Sequence, residues 1–324
     1  EVIDVRSEGE YSEDHIPGAI NCPVLDNQER VTVGTLYKQT SSFDAKKLGA
    51  AIVSANIARY LRERFHDRPR TWRPLVYCWR GGGRSEALAH VLAKIGWHVG
   101  QLDGGYKAYR RAVVADLEIL PQRYRWHVVC GLTGTGKSRL LRELARSSAQ
   151  VLDLEALAAH RGSVLGTMPD EAQPSQKMFE SRVWSALRRF EPQRPVFVES
   201  ESKKIGRLRV PEALIRAMWE TANCVVLEAP LAVRLELLKL EYAHYLAGPD
   251  HLGAQLECLA AMHGSKTIMQ WQRLAHDGAW DTLVEALLAL HYDPAYTRST
   301  LKHYPALERA SRHTLNDAGD AAFA

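Results

Sequence analysis

The segment Gly131-Leu132-Thr133-Gly134-Thr135-Gly136-Lys137-Ser138 fits the pattern G-x-x-x-x-G-K-[ST]. Such a loop works only where a strand ends and a helix begins, because its backbone N–H groups must converge on phosphate oxygens at the helix's positive end. The flanking residues supply both: His127-Val128-Val129-Cys130 reads as a strand and Lys137–Ser147 as a helix. The pattern in this context predicts a di- or triphosphate site made by Gly131, Thr133, Gly134, Thr135, Gly136, Lys137 and Ser138. Lys137 is the cation of that site, and Ser138 is a candidate ligand for Mg2+.

The rest of the chain is organised to suit such a loop. Strands are expected at Gln150–Leu152, Pro195–Glu199 and Cys224–Leu227, separated by helices at Ser175–Phe190 and Pro211–Thr221. This is the βαβ rhythm of a P-loop NTPase/kinase-like α/β domain. After Leu231 the pattern is helical, at Ala232–Leu246, Gly253–Met262, Lys266–Asp277 and Trp280–His291. The small and polar Asp317–Ala324 is expected to fray. Upstream, strands at Val2–Val5, Leu75–Tyr77 and His98–Leu102 alternate with helices at Ala45–Phe65, Ser85–Ile95 and Tyr106–Leu117. That alternation implies a second parallel sheet covered by helices. The polar break Pro121–Arg125 sets the expected boundary, giving domains 1–122 and 123–324. Because Val2–Val5 already reads as a strand and Glu1 is not a methionine, sequence preceding Glu1 is expected.

The first of these domains has its own reactive loop. Cys78-Trp79-Arg80-Gly81-Gly82-Gly83-Arg84-Ser85 follows the strand Leu75-Val76-Tyr77. Backbone N–H groups of a glycine-rich loop form an anion nest, and a following helix adds its positive end. Arg80 and Arg84 are expected to lower the Cys78 pKa further, and Ser85 to cap the next helix. A cysteine so held suits a persulfide or perselenide carrier. Three consecutive glycines also leave room for a bulky acceptor to approach.

Composition narrows the setting. The five cysteines are odd in number and lack C-x-x-C spacing, which argues against a disulfide framework or a zinc site. Cys130 and Cys224 sit in strand-like runs and read as buried structural thiols. No signal segment or membrane-length apolar run is present, so no membrane partner and a cytoplasmic location are expected. The net charge of +4 lies entirely in residues 1–125, with 19 Lys+Arg against 15 Asp+Glu, while the remainder balances at 23 against 23. Between Arg59 and Arg84 fall Arg62, Arg64, Arg68, Arg70, Arg73 and Arg80, with Trp72 and Trp79 interleaved. Guanidinium groups beside aromatic faces suit a nucleic-acid backbone with an unstacked base; a solvated arginine-rich face is the plain alternative.

Beyond the phosphates the residues leave several readings open. Glu199 ends a strand where a metal-facing acid would fall, so Mg2+ at Ser138 and Glu199 is expected; Asp153 and Glu155 are rivals, and a strand-end acid is also a common helix cap. Lys203, Lys204 and Arg207 could close over phosphates or form a solvated turn. The segment Pro230–Leu238, with Arg234, resembles the nucleotide-binding segment of small P-loop kinases.

The first domain resembles the rhodanese family through the Cys78 loop together with Asp4-Val5-Arg6, His15-Ile16-Pro17-Gly18-Ala19-Ile20-Asn21 and Asp103-Gly104-Gly105-Tyr106. A rhodanese-like domain followed by a P-loop domain is similar to the tRNA 2-selenouridine synthases. That resemblance runs through Glu29–Gln39, both loops, Asp153-Leu154-Glu155, His160-Arg161-Gly162-Ser163, Glu199–Gly206 and His291-Tyr292-Asp293-Pro294. It implies a tRNA partner and conversion of 2-thiouridine to 2-selenouridine at the wobble position through an S-geranyl intermediate. Geranyl diphosphate and selenophosphate would be the co-substrates, and Cys78 the selenium carrier. Under it the P-loop grips the diphosphate of geranyl diphosphate, near an apolar channel for which Met168, Met178, Phe179 and Trp184 are candidates. An ATP-dependent tRNA sulfurtransferase and a small-molecule kinase with a rhodanese sensor are the competing functions.

Overall fold

In a computed structural model of the chain, residues 1–247 and 249–323 are described. The chain forms two compact units. The first is Glu1–Asp116 with Ser175–Ser185; the second is Leu117–Pro174 with Ala186 onward.

Strands buried on both faces read as continuous apolar runs. The first unit has four short strands, of which the first and third are mostly buried, the second is half-buried and the fourth is exposed. They are β1 (Val2–Asp4), β2 (Ile20–Asn21), β3 (Leu75–Tyr77) and β4 (Gly100–Gln101). The sheet order is β2-β1-β3-β4 and every pairing is parallel, with Ile3 opposite both Ile20 and Val76. Ile3, Val5, Cys22, Val24, Phe65, Val76, Leu88 and Leu92 form its core. The helices Ser42–Tyr60 and Gly83–Ile95 bring Ile57, Leu88 and Leu92 into that core, so the thiol loop at the end of β3 rests on a packed base. Two elements escape the sequence pattern. β2 has only two residues, and the helix Asn27–Gln39 buries none of its residues, so it has no apolar stripe to show. Its start is nonetheless well specified: Asp26 accepts from Glu29 N at 2.7 Å while Glu29 accepts from Asp26 N at 2.8 Å.

The second unit contains β5 (Arg125–Cys130), β6 (Gln150–Leu152), β7 (Pro195–Glu199), β8 (Lys204–Ile205), β9 (Leu208–Arg209), β10 (Asn223–Glu228) and β11 (Ser311–Thr314). Five of them make an all-parallel sheet in the order β11-β10-β5-β7-β6, and β8 and β9 form a small antiparallel hairpin. The phosphate loop leaves the central strand β5, between β10 and β7, and enters the helix Lys137–Arg146. That is the position in an open α/β sheet where ligands meet the carboxyl ends of strands. The helical part follows as Leu231–Glu241, Ala243–Ala247, Pro249–Leu256, Ser265–His276 and Trp280–Leu287, with Leu252, Leu256, Leu259, Ile268, Trp271 and Leu283 as its own core.

The tail departs from expectation. β11 pairs in parallel with β10, Val225 opposite Ser311 and Glu228 opposite Thr314. Leu315, Ala318 and Phe323 are then buried with Leu227, Val233 and Leu237. Small polar residues there do not fray, because three apolar side chains anchor them; Ala324 lies outside the described residues.

Candidate functional site

Two chemically distinct sites are built in this chain, each described within its own unit. In the first, β3 delivers Cys78 to its carboxyl end, and the loop turns back into the helix Gly83–Ile95. The turn depends on two glycines. Gly81 has φ +73° and Gly105 φ +56°; a Cβ on Gly105 would lie 2.4 Å from the Cys78 carbonyl oxygen and 2.5 Å from Gly81 N. Only bare backbone fits there. Over Gly82 and Gly83, by contrast, an added Cβ would meet nothing within 4 Å, so the loop is open on that side.

Cys78 is buried, and Ser85 Oγ donates to its sulfur at 3.2 Å or to the Gly82 carbonyl at 3.1 Å. Gln101 Nε2 in turn donates to Ser85 Oγ at 2.9 Å and to the Gly81 carbonyl at 2.7 Å, which fixes the hydroxyl beneath the thiol. Burial alone would push the thiol up. The Ser85 hydroxyl and the backbone N–H groups of Ser85, Arg80 and Gly82 outweigh it and hold Cys78 below its ordinary value.

The arginines are arranged differently from expectation. Arg84 donates to Glu10 at 2.8 and 3.3 Å, and this pairing, not the thiol, occupies its guanidinium. Arg80 is exposed and reaches Cys78 through its backbone N–H. Ser85 is not the N-cap, a place taken by Gly82; it lies in the helix's first turn with its side chain on the sulfur. The run from Arg59 to Arg73 does not surround the thiol either. Arg70 and Arg73 precede the amino end of β3, whereas Cys78 leaves its carboxyl end. Trp72 is buried, with Nε1 donating to Glu1 at 3.0 Å, while Trp79 is 40% exposed beside Cys78.

In the second unit a cavity of about 860 Å3 opens over the phosphate loop, lined by Thr133, Gly134, Gly136, Lys137 and Ser138 together with Asp153, Glu155, His160, Arg161, Met168, Glu199 and Glu201. Lys137 Nζ donates to the carbonyls of Gly131 at 2.8 Å and Leu132 at 3.2 Å and lies 3.6 Å from Glu199. Burial disfavours its charge, but Glu199 and Tyr296 overcome that and raise its pKa. Gly131 N donates to Tyr296 Oη at 2.6 Å, and Thr135 Oγ1 to the Leu132 carbonyl at 2.9 Å. Gly136, at φ +80°, could not carry a Cβ without meeting the Phe323 ring at 2.7 Å.

Ser138 Oγ donates to Glu199 at 3.0 Å or Glu155 at 3.2 Å. Carboxylate oxygens of Glu155, Glu199 and Glu201 lie within 4.8 Å of one another. Burial first, then mutual repulsion, pushes Glu155 well up and Glu201 to about 8. Burial likewise raises Glu199. Three crowded carboxylates and a hydroxyl are a hard-oxygen donor set, which suits Mg2+. Glu201 was not anticipated, though a signal existed: it falls two residues after Glu199, and alternate residues of an extended segment face the same side.

The other anticipated residues separate. Asp153 caps the helix Leu154–Ala158 by accepting from Ala156 N at 2.9 Å, while still lining the cavity. Lys203 lies over the Trp219 ring, 5.3 Å from its centroid. Lys204 is exposed in β8, and Arg207 donates to the Gln173 carbonyl at 2.6 Å. None of these three is among the residues lining the cavity. Arg234 is buried and fully engaged, by Thr133 O at 2.8 Å and by Asp293 at 2.6 and 3.0 Å, so it buttresses the loop from behind. Of the apolar candidates only Met168 lines the cavity. Met178, Phe179 and Trp184 belong to the first unit, where Trp184 Nε1 donates to Asp116 at 2.8 Å. A smaller, almost wholly apolar pocket adjoins the phosphate loop instead. It shares Thr133, Leu238, Tyr242 and Tyr292 with the large cavity and is closed by Leu165, Leu252, Trp280 and Leu283.

Fold and sites together define a rhodanese-like thiol unit and a P-loop unit carried by one polypeptide. Residues 1–112 match the rhodanese-like domain, and residues 124–262 match the tRNA 2-selenouridine synthase AAA domain. The chain is 32% identical to the tRNA 2-selenouridine synthase of Hydrogenovibrio crunogenus over 91% of its own length and 88% of the relative's. It is 30% identical to that of Marinobacter nauticus, over 91% and 87%. With the Nitrosomonas europaea enzyme identity is 35% over 74% of this chain and 63% of the relative, so the match spans somewhat under two thirds of that protein. The chain belongs to the tRNA 2-selenouridine synthase family. Among the described residues no helix is long and apolar enough to cross a membrane.

Proposed function

We propose that this protein replaces the sulfur of 2-thiouridine with selenium at the wobble position of tRNA, passing through an S-geranyl intermediate. One observation carries the reading. A thiol held below its ordinary pKa by Ser85 and loop N–H groups shares a chain with a phosphate loop whose cavity adjoins an apolar pocket. Few chemistries need an ionised sulfur, a diphosphate cradle and an apolar pocket together.

In the first stage the thiocarbonyl sulfur attacks C1 of geranyl diphosphate, the C–O bond breaks and diphosphate leaves. Lys137 and the N–H groups of the cavity-lining loop residues Gly134, Gly136, Lys137 and Ser138 hold that diphosphate and stabilise the charge it develops. Mg2+, where bound by Ser138, Glu199, Glu155 and Glu201, would supply further charge neutralisation on the departing group. The geranyl chain enters between Leu238, Tyr242 and Tyr292 toward the apolar pocket. That pocket holds only about 60 Å3, so its side chains must move apart to admit ten carbons. In the second stage the Cys78 thiolate attacks the phosphorus of selenophosphate, the P–Se bond breaks and selenide is released at the loop. The selenide adds to C2, the C–S bond breaks, the geranylthio group leaves as a thiol, and water then frees phosphate from Cys78. Alkylation makes this step feasible, because a thiocarbonyl sulfur leaves poorly and an S-alkyl group departs as a thiol.

The test is nucleoside mass spectrometry of thiolated tRNA incubated with the full chain, Mg2+, geranyl diphosphate and selenophosphate. Geranylated and then selenated uridine is expected, with no ATP consumed. Stoichiometric ATP cleavage for each modified base would sink the diphosphate role of the loop and favour an ATP-dependent transferase.

A further inference from the structure

We infer that Trp79 is a stacking platform that holds an unstacked pyrimidine of the RNA against the Cys78 loop; this rests on the tRNA reading above. Large apolar side chains exposed singly are common and by themselves mean nothing. Trp79 differs in what lies behind it and beside it. Its ring sits 5.2 Å from that of Tyr106, which is buried, and the two planes are inclined by 31°. Tyr106 is held in place: its hydroxyl donates to Asp14 at 2.7 Å, and the Arg6 guanidinium lies 4.0 Å from its ring centroid. Arg6 is itself fixed by Asp4, donating at 2.6 Å, and by the Asp14 carbonyl at 2.6 Å. The indole is therefore the exposed end of an aromatic cluster rooted in the core of the unit.

The backbone of Trp79 is held as well. Its carbonyl accepts from Lys107 N at 3.0 Å, and the neighbouring Cys78 carbonyl accepts from Tyr106 N at 2.8 Å. The backbone that carries indole and thiol is thus fixed at both residues. The open side of the loop, over Gly82 and Gly83, is the space a planar ring can enter. Arg80, exposed and next in sequence, supplies a cation for the phosphate of the same nucleotide. Bases splayed from a loop are recognised on rigid aromatic faces in this way, with a nearby cation for the backbone. The other tryptophan of the arginine-rich segment has no such part, because Trp72 is buried and tied to Glu1.

The test uses the full chain and an anticodon stem–loop RNA carrying 5-iodouridine at the wobble position for photo-crosslinking. A second stem–loop with S-geranyl-2-thiouridine there serves for selenium transfer. The crosslink is expected to map to Trp79. Trp79→Ala should weaken stem–loop binding about 5- to 100-fold, the range of one lost base–aromatic stack, while Trp79→Phe recovers most of it. A crosslink that maps elsewhere, or a Trp79→Ala protein that binds and selenates like the parent, overturns the platform. A protein that crosslinks through Trp79 yet transfers no selenium keeps the platform and overturns the catalytic reading instead.

Discussion

Ser85 shows how much a single hydroxyl can decide. It is fully buried, receives a hydrogen bond from Gln101 and gives its own to the Cys78 sulfur. Removing it leaves only the backbone N–H groups of the loop to oppose burial, so in Ser85→Ala the thiol pKa rises. Hydrogen bonds to a charged group contribute about 1.5–3 kcal/mol, so alkylation by iodoacetamide at pH 7 should slow on the order of tenfold. The parent rate should be regained at higher pH, where the thiol ionises unaided. A pH profile that coincides with the parent's would remove Ser85 from the account. Glu201 gives a second test at this scale. Its ordinary value is 4.5, and burial beside Glu199 pushes it up to about 8. The folded protein therefore binds an extra proton between those values. Its stabilising contribution is complete below 4.5 and is lost as pH rises through 8. In EDTA the unfolding midpoint should fall across that window, and Glu201→Gln should flatten the fall by on the order of 5 °C. At this scale Cys78, Lys137, Ser138 and Glu199 were legible from spacing alone. Arg84 was not, because its partner Glu10 is 74 residues away and no local pattern reveals such a pairing.

Among the elements, the tail from β11 to Phe323 was least visible beforehand and yet supports the phosphate loop. Ser311, Arg312, His313 and Thr314 are all exposed along a sheet edge, so they carry no alternation of apolar and polar residues. By contrast β5, β7 and β10 bury at least half of their residues and announce themselves as apolar runs. The helix after Lys137 was legible because the loop pattern demands it. Phe323 packs where a Cβ on Gly136 would fall, which couples tail and loop through one ring. Phe323→Ala should therefore lower stability by about 3 kcal/mol, as for other buried phenylalanines. It should also weaken binding of inorganic diphosphate, since Gly136 loses its backing. Urea denaturation and diphosphate calorimetry on the same protein check both effects. Loss of stability with unaltered diphosphate affinity would mean that the tail supports the sheet only.

Across the whole molecule, the proposed function assigns its two stages to two sites of different chemistry, so substitutions in each unit should break it at different points. The α/β character of both units and the order of the two loops could be read from the chain. The return of Ser175–Ser185 to the first unit could not, since its partners lie 68 and 164 residues earlier: Trp184 binds Asp116, and Lys177 lies 3.1 Å from Glu13. That return explains why Met178, Phe179 and Trp184, apolar at helical spacing, line no channel beside the phosphate loop. Lys137→Ala removes the cation of the phosphate loop and leaves Glu199 buried without its charged partner. It should cut geranylation by at least a hundredfold, and selenation with it, because no activated leaving group forms. Cys78→Ala leaves the phosphate loop intact, so S-geranyl-2-thiouridine should accumulate while selenation stops. Supplying pre-geranylated tRNA separates the two: the Lys137→Ala protein should then selenate it and the Cys78→Ala protein should not. If both variants fail on that substrate, the loop serves the selenium step as well, and the two stages do not divide between the units.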